Sequence, residues 1–346
     1  MIPRAMEAPG GVAVAAHPVS ALLAESLLAR TPPESLTWNY ENALLLLAAD
    51  RAGRTYDIPS LRNASRRFVD ANVGEAGLIE GYSEAEHNLD FINPGRLLLL
   101  HPESKSPRIR AALRSLEAQL DSQPRCECGG FWHKRIYPFQ MWLDGLYMAQ
   151  PFAAAFGRRY GRVDFLDDAV RQMAIMEERA RDPRTGLLYH GWDESRRQLW
   201  CRPDTGRSPT FWGRAMGWYA MALVEVLDYL PSSHEGRLTL SASLGRLAEA
   251  ARRFQDPASG LWHQVADQGA RSGNYAETSV SAMFAYAFAK ANRRALLRGE
   301  PAVRAALSAA RAREGIERLM VRQDSRGPVL EGICAVAGLG GDPYRD

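Results

Sequence analysis

Apolar residues recur at spacings of three and four along most of the chain, the signature of helices with one buried face. The pattern predicts helices over 43–49, 110–120, 163–180, 215–230, 240–254 and 280–289, with Ala and Leu dominating. Runs of Val, Ile and Thr bounded by turns are nearly absent, so a sheet-based fold is not expected.

An internal repeat punctuates the helical pattern. Asp182-Pro183-Arg184-Thr185-Gly186-Leu187-Leu188-Tyr189-His190 matches Asp256-Pro257-Ala258-Ser259-Gly260-Leu261-Trp262-His263, with one residue of slippage before the His. Asp-Pro with Gly three residues after the Pro is turn chemistry that ends one helix and redirects the chain. Gly77-Leu78-Ile79-Glu80-Gly81-Tyr82 is a weaker relative. Helices before these turns are Arg/Glu-rich and amphipathic. Helices after them mix small residues with aromatics, as in Phe211-Trp212-Gly213-Arg214-Ala215-Met216-Gly217-Trp218-Tyr219. Repeated hairpins stack their apolar faces on neighbours. Two alternating kinds of helix predict a close-packed inner ring inside a solvated outer ring: an all-α, α/α toroid whose aromatic and polar loop ends line one central cleft.

Composition narrows the field. The chain has 346 residues, 46% hydrophobic and 24% charged, which is globular and long enough for a large core without staples. The net charge of +3 gives no case for nucleic acid or an anionic membrane as partner. Lys occurs only at Lys105, Lys134 and Lys290 among 43 basic residues, and the Arg residues are interleaved with acids. Cys126 and Cys128 form C-x-C, too close for ordinary zinc-pair spacing, and Cys201 and Cys334 offer no second pair. No apolar run reaches the roughly 20 residues of a membrane span. The first residues mix Gly, Pro and small side chains without a signal-peptide pattern. These features fit a reduced, cytoplasmic enzyme or binding protein. Residues 1–30 read as a poorly ordered leader, and oligomeric state leaves no mark in the sequence.

The densest polar-aromatic stretch is 131–145. Asp144 sits early in an otherwise apolar helix, where a carboxylate is costly unless paired or used. Apolar walls such as Trp142 would raise its pKa and keep a proton available near neutral pH; a helix-start Asp favoured by the macrodipole is the alternative. Asp90 lies in a turn, where Asp is usually structural. Meeting Asp144 in the cleft, it would help hold one of the two protonated. Arg214 and Trp218, four apart after Pro209, share a face that suits a sugar carboxylate, or else form a packed Arg–Trp pair. His190 follows the first repeat turn, and a lone His is more often structural than catalytic. No metal-ligand cluster, phosphate-binding loop or Ser-His-Asp order stands out, so neither metal nor cofactor is expected.

Three segments in order, Trp142-Leu143-Asp144-Gly145-Leu146-Tyr147-Met148-Ala149-Gln150-Pro151-Phe152, Tyr189-His190-Gly191-Trp192-Asp193-Glu194-Ser195 and 211–223, make the chain resemble glycoside hydrolase family 105, the unsaturated rhamnogalacturonyl hydrolases. The likeness runs from about Trp38 onward. It implies an (α/α)6 barrel, with 31–346 one catalytic domain. It also implies Asp144 as general acid/base, His190 at the reacting ring and Asp90 assisting, with Tyr40, Lys134, Trp142, Arg214 and Trp218 lining the sugar pocket. The substrate implied is a small unsaturated oligosaccharide. The chain stops at Gly341-Asp342-Pro343-Tyr344-Arg345-Asp346, where relatives continue into a Tyr/Glu-rich loop and a last helix, which leaves that helix in question. Three rivals stand beside this reading. One is an unsaturated glucuronyl hydrolase acting on glycosaminoglycan or ulvan fragments. Another is a sugar epimerase, which would need a His pair. The third is a non-catalytic sugar-binding toroid, which would have no use for Asp144.

Overall fold

The computed structural model describes residues 18–339. Helix α1 (Val19–Arg30) leads into five helical hairpins. These are α2 (Tyr40–Thr55) with α3 (Pro59–Asn72), α4 (Gly95–Leu100) with α5 (Pro107–Ser122), α6 (Leu143–Tyr160) with α7 (Val163–Ala180), α8 (Gly213–Tyr229) with α9 (Gly236–Arg252), and α10 (Thr278–Arg293) with α11 (Gly299–Leu319). The first member of each pair packs on the first member of the next, and Arg51 on α2 reaches Tyr286 on α10 across the ring. These eleven helices, counted among the described residues, form the toroid that the hydrophobic pattern predicts, and the architecture is the (α/α)6 barrel that the family resemblance implies.

Burial explains the two rings. In α6 and α8 nearly every residue of the first three to four turns is buried, so small side chains are needed all round. In α3, α5 and α7 only one stripe is buried and the rest is charged. Gly145 shows the constraint at one point: a Cβ there would lie 2.9 Å from Nδ1 of His133. Pro151 stands inside α6 and cannot donate to the carbonyl four residues back. The Asn93 amide, fully buried, donates to that Tyr147 carbonyl at 3.0 Å instead.

The repeated turns are superimposable in their bonding. The Asp182 carboxylate accepts from the Thr185 N–H (2.9 Å) and hydroxyl (2.7 Å), and Gly186 N–H donates to the Asp182 carbonyl with φ of 76°. Asp256, Ser259 and Gly260 repeat this with φ of 76° at the glycine.

Two expectations need amendment. The expected leader is helical over Val19–Arg30: Ala21 and Ala24 bury against Ala49, Ile58 and Leu61, and Arg30 pairs with Asp324 at 2.6 Å. Its first 17 residues, like Gly341–Asp346 and the last-helix question, lie outside the described residues. Short strands also occur. β1 (Gln140–Trp142) pairs antiparallel with β2 (Gly191–Asp193), and β3 (Val321–Asp324) with β4 (Gly327–Leu330). At three or four residues each they are below the reach of a periodicity argument. After β4 the chain crosses the mouth of the barrel: Gly332 accepts from Thr278, and Leu339 packs on Trp142 and Trp200. Among the described residues no helix is long and apolar enough to cross a membrane.

Candidate active site

The inner helices α2, α6, α8 and α10 all begin at one end of the barrel, and the predicted site residues gather there. Tyr40 opens α2, Asp144 is the second residue of α6, Arg214 the second of α8, and Glu277 caps α10. The β1–β2 ladder places the acid and the imidazole. Trp142 pairs with Gly191, and the Leu143 N–H donates to the His190 carbonyl at 3.0 Å. Asp144 Oδ2 consequently lies 2.9 Å from His190 Nε2. Both atoms are buried and neither has a further hydrogen-bond partner among the described residues.

The electrostatics differ from the sequence expectation. Burial pushes the Asp144 carboxyl up, as apolar walls should. The His190 imidazole, then His133 and the backbone N–H at the helix start, pull it down and prevail, so Asp144 lies below the ordinary carboxylate value. The apolar-wall argument fails because two imidazoles share the enclosure. His133 is pushed below the usual imidazole value by burial, against the opposing pull of Asp90. Asp90 Oδ2 pairs with Lys134 Nζ at 2.6 Å, and its Oδ1 stands 3.7 Å from His133 Nε2. Asp90 is thus neutralised by a cation of its own, and the shared-charge expectation does not describe it. Tyr40 is pushed up by burial, with Glu41, Asp90 and Asp144 adding to the effect.

An aromatic shell encloses the pair. Trp142 stacks on both His133 (4.6 Å) and Tyr137 (4.9 Å), whose parallel rings are 6.5 Å apart, and meets His190 edge-on at 5.5 Å. Trp212 covers His190 from the other side at 4.7 Å. Trp218 does not accompany Arg214 as predicted. It is buried, stacked on Tyr147 at 4.9 Å and edge-on to Tyr40 at 5.9 Å. The Arg214 guanidinium lies over Trp212 instead (5.4 Å). It donates to Ser279 Oγ (2.8 Å), to the fully buried Glu277 (3.3 Å) and to the Cys334 carbonyl of the crossing segment.

Several polar atoms of this shell are buried without partners: Trp132 Nε1, Trp212 Nε1 and His133 Nδ1, besides the Asp144–His190 pair. Buried donors are rarely left unpaired, so the three atoms with no partner at all are open to a polar ligand. Phe139 at the rim holds φ of 64°, a strained value for an aromatic residue, while leaning on Trp132.

Of the residues singled out in the sequence, Asp144, His190, Asp90, Lys134 and Trp142 stand near one another, Tyr40 and Arg214 open neighbouring inner helices, and Trp218 is buried against Tyr147 and Tyr40. Sequence reasoning missed Trp212, Tyr137 and Glu277, all inside segments already conspicuous for aromatics, and gave no sign of Cys334, whose part is played by its backbone.

The fold is an α/α barrel with a carboxylate–imidazole pair enclosed at its mouth. The chain belongs to Glycosyl Hydrolase Family 88, whose family model matches residues 24–346. It is similar over 95% of its length to a solved family 105 glycoside hydrolase of C. acetobutylicum, covering 91% of that chain at 38% identity and a TM-score of 0.89. Protein Atu3128 of Agrobacterium fabrum is 44% identical over 58% of this chain and 85% of its own. The unsaturated rhamnogalacturonyl hydrolase YesR of Bacillus subtilis is 30% identical over 76% of this chain and 73% of its own.

Proposed function

We propose that the protein hydrates the C4=C5 double bond of a terminal unsaturated galacturonyl residue, releasing rhamnose or a rhamnose-containing fragment from the products of a rhamnogalacturonan lyase. The observation that carries this reading is the Asp144–His190 pair, one buried carboxyl group and one imidazole 2.9 Å apart among aromatics. Ordinary glycoside hydrolysis uses two carboxyl groups flanking the glycosidic bond. A vinyl ether needs only one that can both give and take a proton. The similarity to YesR supports the choice of leaving sugar.

The proposed reaction needs one proton on the Asp144–His190 pair. The entering uronate brings a negative charge and displaces water, and both raise the Asp144 pKa. Asp144 then passes the proton to C4, and positive charge develops across C5 and the ring oxygen. Water adds at C5 and returns a proton to the Asp144 carboxylate. The resulting hemiketal opens to a ketone, and the neighbouring sugar departs with its hydroxyl restored. Trp142 and Trp212 exclude bulk water, Trp132 and Trp212 offer indole N–H groups to sugar hydroxyls, and Lys134 and Arg214, each already paired with a carboxylate, offer N–H donors to the uronate. Asp90 keeps Lys134 in place.

The double bond absorbs in the near ultraviolet, so the direct test is loss of that absorbance when the protein meets an unsaturated galacturonyl-rhamnose disaccharide. An unsaturated glucuronyl disaccharide from a glycosaminoglycan should be turned over much more slowly. Faster turnover of the latter assigns the protein to the glucuronyl reading, and no turnover of either leaves a binding toroid. Dialysis against a strong chelator is expected to leave the rate unchanged.

A further inference from the structure

The C-x-C pair acquires a third donor in the fold. Cys126 Sγ, Cys128 Sγ and a Glu194 carboxylate oxygen all lie within 4.8 Å of one another. Glu194 arrives from the end of β2, distant in sequence, which is why C-x-C spacing alone showed nothing. We propose that Cys126, Cys128 and Glu194 bind one thiophilic divalent ion of the zinc class as a structural staple.

Backbone form makes the convergence of the sulfurs systematic. The turn at 126–130 is a one-residue-shorter copy of the repeat turns: the Cys126 N–H donates to the Gly130 carbonyl (2.8 Å), the Gly129 N–H to the Cys126 carbonyl (2.9 Å), and Gly129 holds φ of 89°. In the two Asp turns the first residue and the residue before the glycine bring their side chains into contact, as Asp182 with Thr185 and Asp256 with Ser259. Here those two positions are Cys126 and Cys128. The turn is braced from below by Arg125 and Gln172, which both donate to the Gly129 carbonyl at 2.8 and 2.9 Å. Glu194 is braced by the N–H groups of Glu127 (2.9 Å) and Cys128 (3.4 Å).

The donor set selects the ion. Two sulfurs and one carboxylate oxygen suit zinc or cadmium and do not suit magnesium or calcium, which take oxygen ligands. A tetrahedral zinc ion with bonds of about 2.3 Å to sulfur holds its donors roughly 3.5–4 Å apart, within the span available here. Cys126 is buried while Cys128 and Glu194 are half-buried, so the fourth position faces solvent and takes water. Binding displaces one proton from each thiol to solvent, leaving two thiolates and one carboxylate around the ion.

The ion would tie the 126–130 turn, which precedes His133, to the end of β2, which follows His190. It therefore acts on rigidity and not on the reaction. Titration with cadmium is expected to give a thiolate-to-metal charge-transfer band that saturates at one ion per chain. Zinc should compete for the same site and raise the melting temperature. Cys128→Ser and Glu194→Gln should weaken cadmium affinity at least tenfold, whereas Cys201→Ser should leave it unchanged. Turnover of the apo protein should equal that of the zinc-loaded one at low temperature and decay faster on heating. Absence of a saturable band, or a band that survives Cys128→Ser, overturns the proposal. Should Cys126→Ser fail to fold, the half-buried Cys128 still decides the matter.

Discussion

The two ends of the inner ring treat buried polarity in opposite ways. At the far end from the cleft, Glu225 on α8 receives Arg96 at 2.5 Å, Lys290 at 2.7 Å, Arg51 at 3.5 Å and the Tyr286 hydroxyl. Lys290 also reaches Asp228 at 2.7 Å. Burial alone would raise the Glu225 carboxyl, but Arg96 first, then Lys290 and Arg51, hold it well below the ordinary value. At the mouth, His133 Nδ1, Trp132 Nε1 and Trp212 Nε1 are buried without a partner, and Asp144 Oδ2 and His190 Nε2 have only each other. One end is saturated and closes the ring; the other is left unsatisfied for a ligand to complete. Arg96, Lys290 and Glu225 show how a fully paired set of buried charges becomes a structural plug.

Four substitutions separate the ends. Asp144→Asn should lower kcat by about 10²–10⁴, the usual range for loss of a general acid/base, with binding and melting temperature kept. A near-native rate would remove Asp144 from the mechanism. Glu225→Gln should do the reverse, destabilising the fold by about 3–5 kcal/mol because Arg96 and Lys290 lose their counter-charge, while the soluble fraction keeps its KM. The sign with pH follows. With its folded value depressed, Glu225 stabilises the fold above its unfolded value of about 4.3, and that stabilisation is lost as pH falls below it. Acid unfolding of Glu225→Gln should therefore be less steep. Arg214→Ala should weaken binding by about 1.5–3 kcal/mol, typical of a hydrogen bond to a charged group, with Arg214→Lys intermediate because it lacks the planar fork. Unchanged KM with a large drop in melting temperature would move Arg214 to the structural side. Tyr137→Leu should cost binding about 0.5–1.5 kcal/mol through its lost stack on Trp142, measurable as a rise in KM at constant kcat.

The ring architecture was legible because it is written in a period the eye can follow. Val163–Ala180 alternates cleanly and emerges as α7 with those bounds. Helix α1 was hidden by its proximity to a Gly/Pro-rich start. The site was legible residue by residue through Asp144 and His190, yet its electrostatics were not. The Asp144 carboxyl responds to His133 and His190, brought beside it by backbone pairing over 140–142 and 191–193, and no linear window contains that encounter. Glu194 was likewise unreadable as a partner of Cys126, since only the end of β2 brings it there.

The three-residue β1–β2 ladder works as a caliper. It sets the distance between acid and imidazole by register, and the whole α6–α7 hairpin hangs between its jaws as a loop whose length is irrelevant to that distance. Thermal expansion, or substitutions on the solvent face of α7, can move the outer ring without opening the jaws. A slip of one residue in the ladder would turn Trp142 and its neighbours to the opposite face. Drift in this protein is therefore cheap on the solvent face of α7 and prohibitive across the six residues of the ladder.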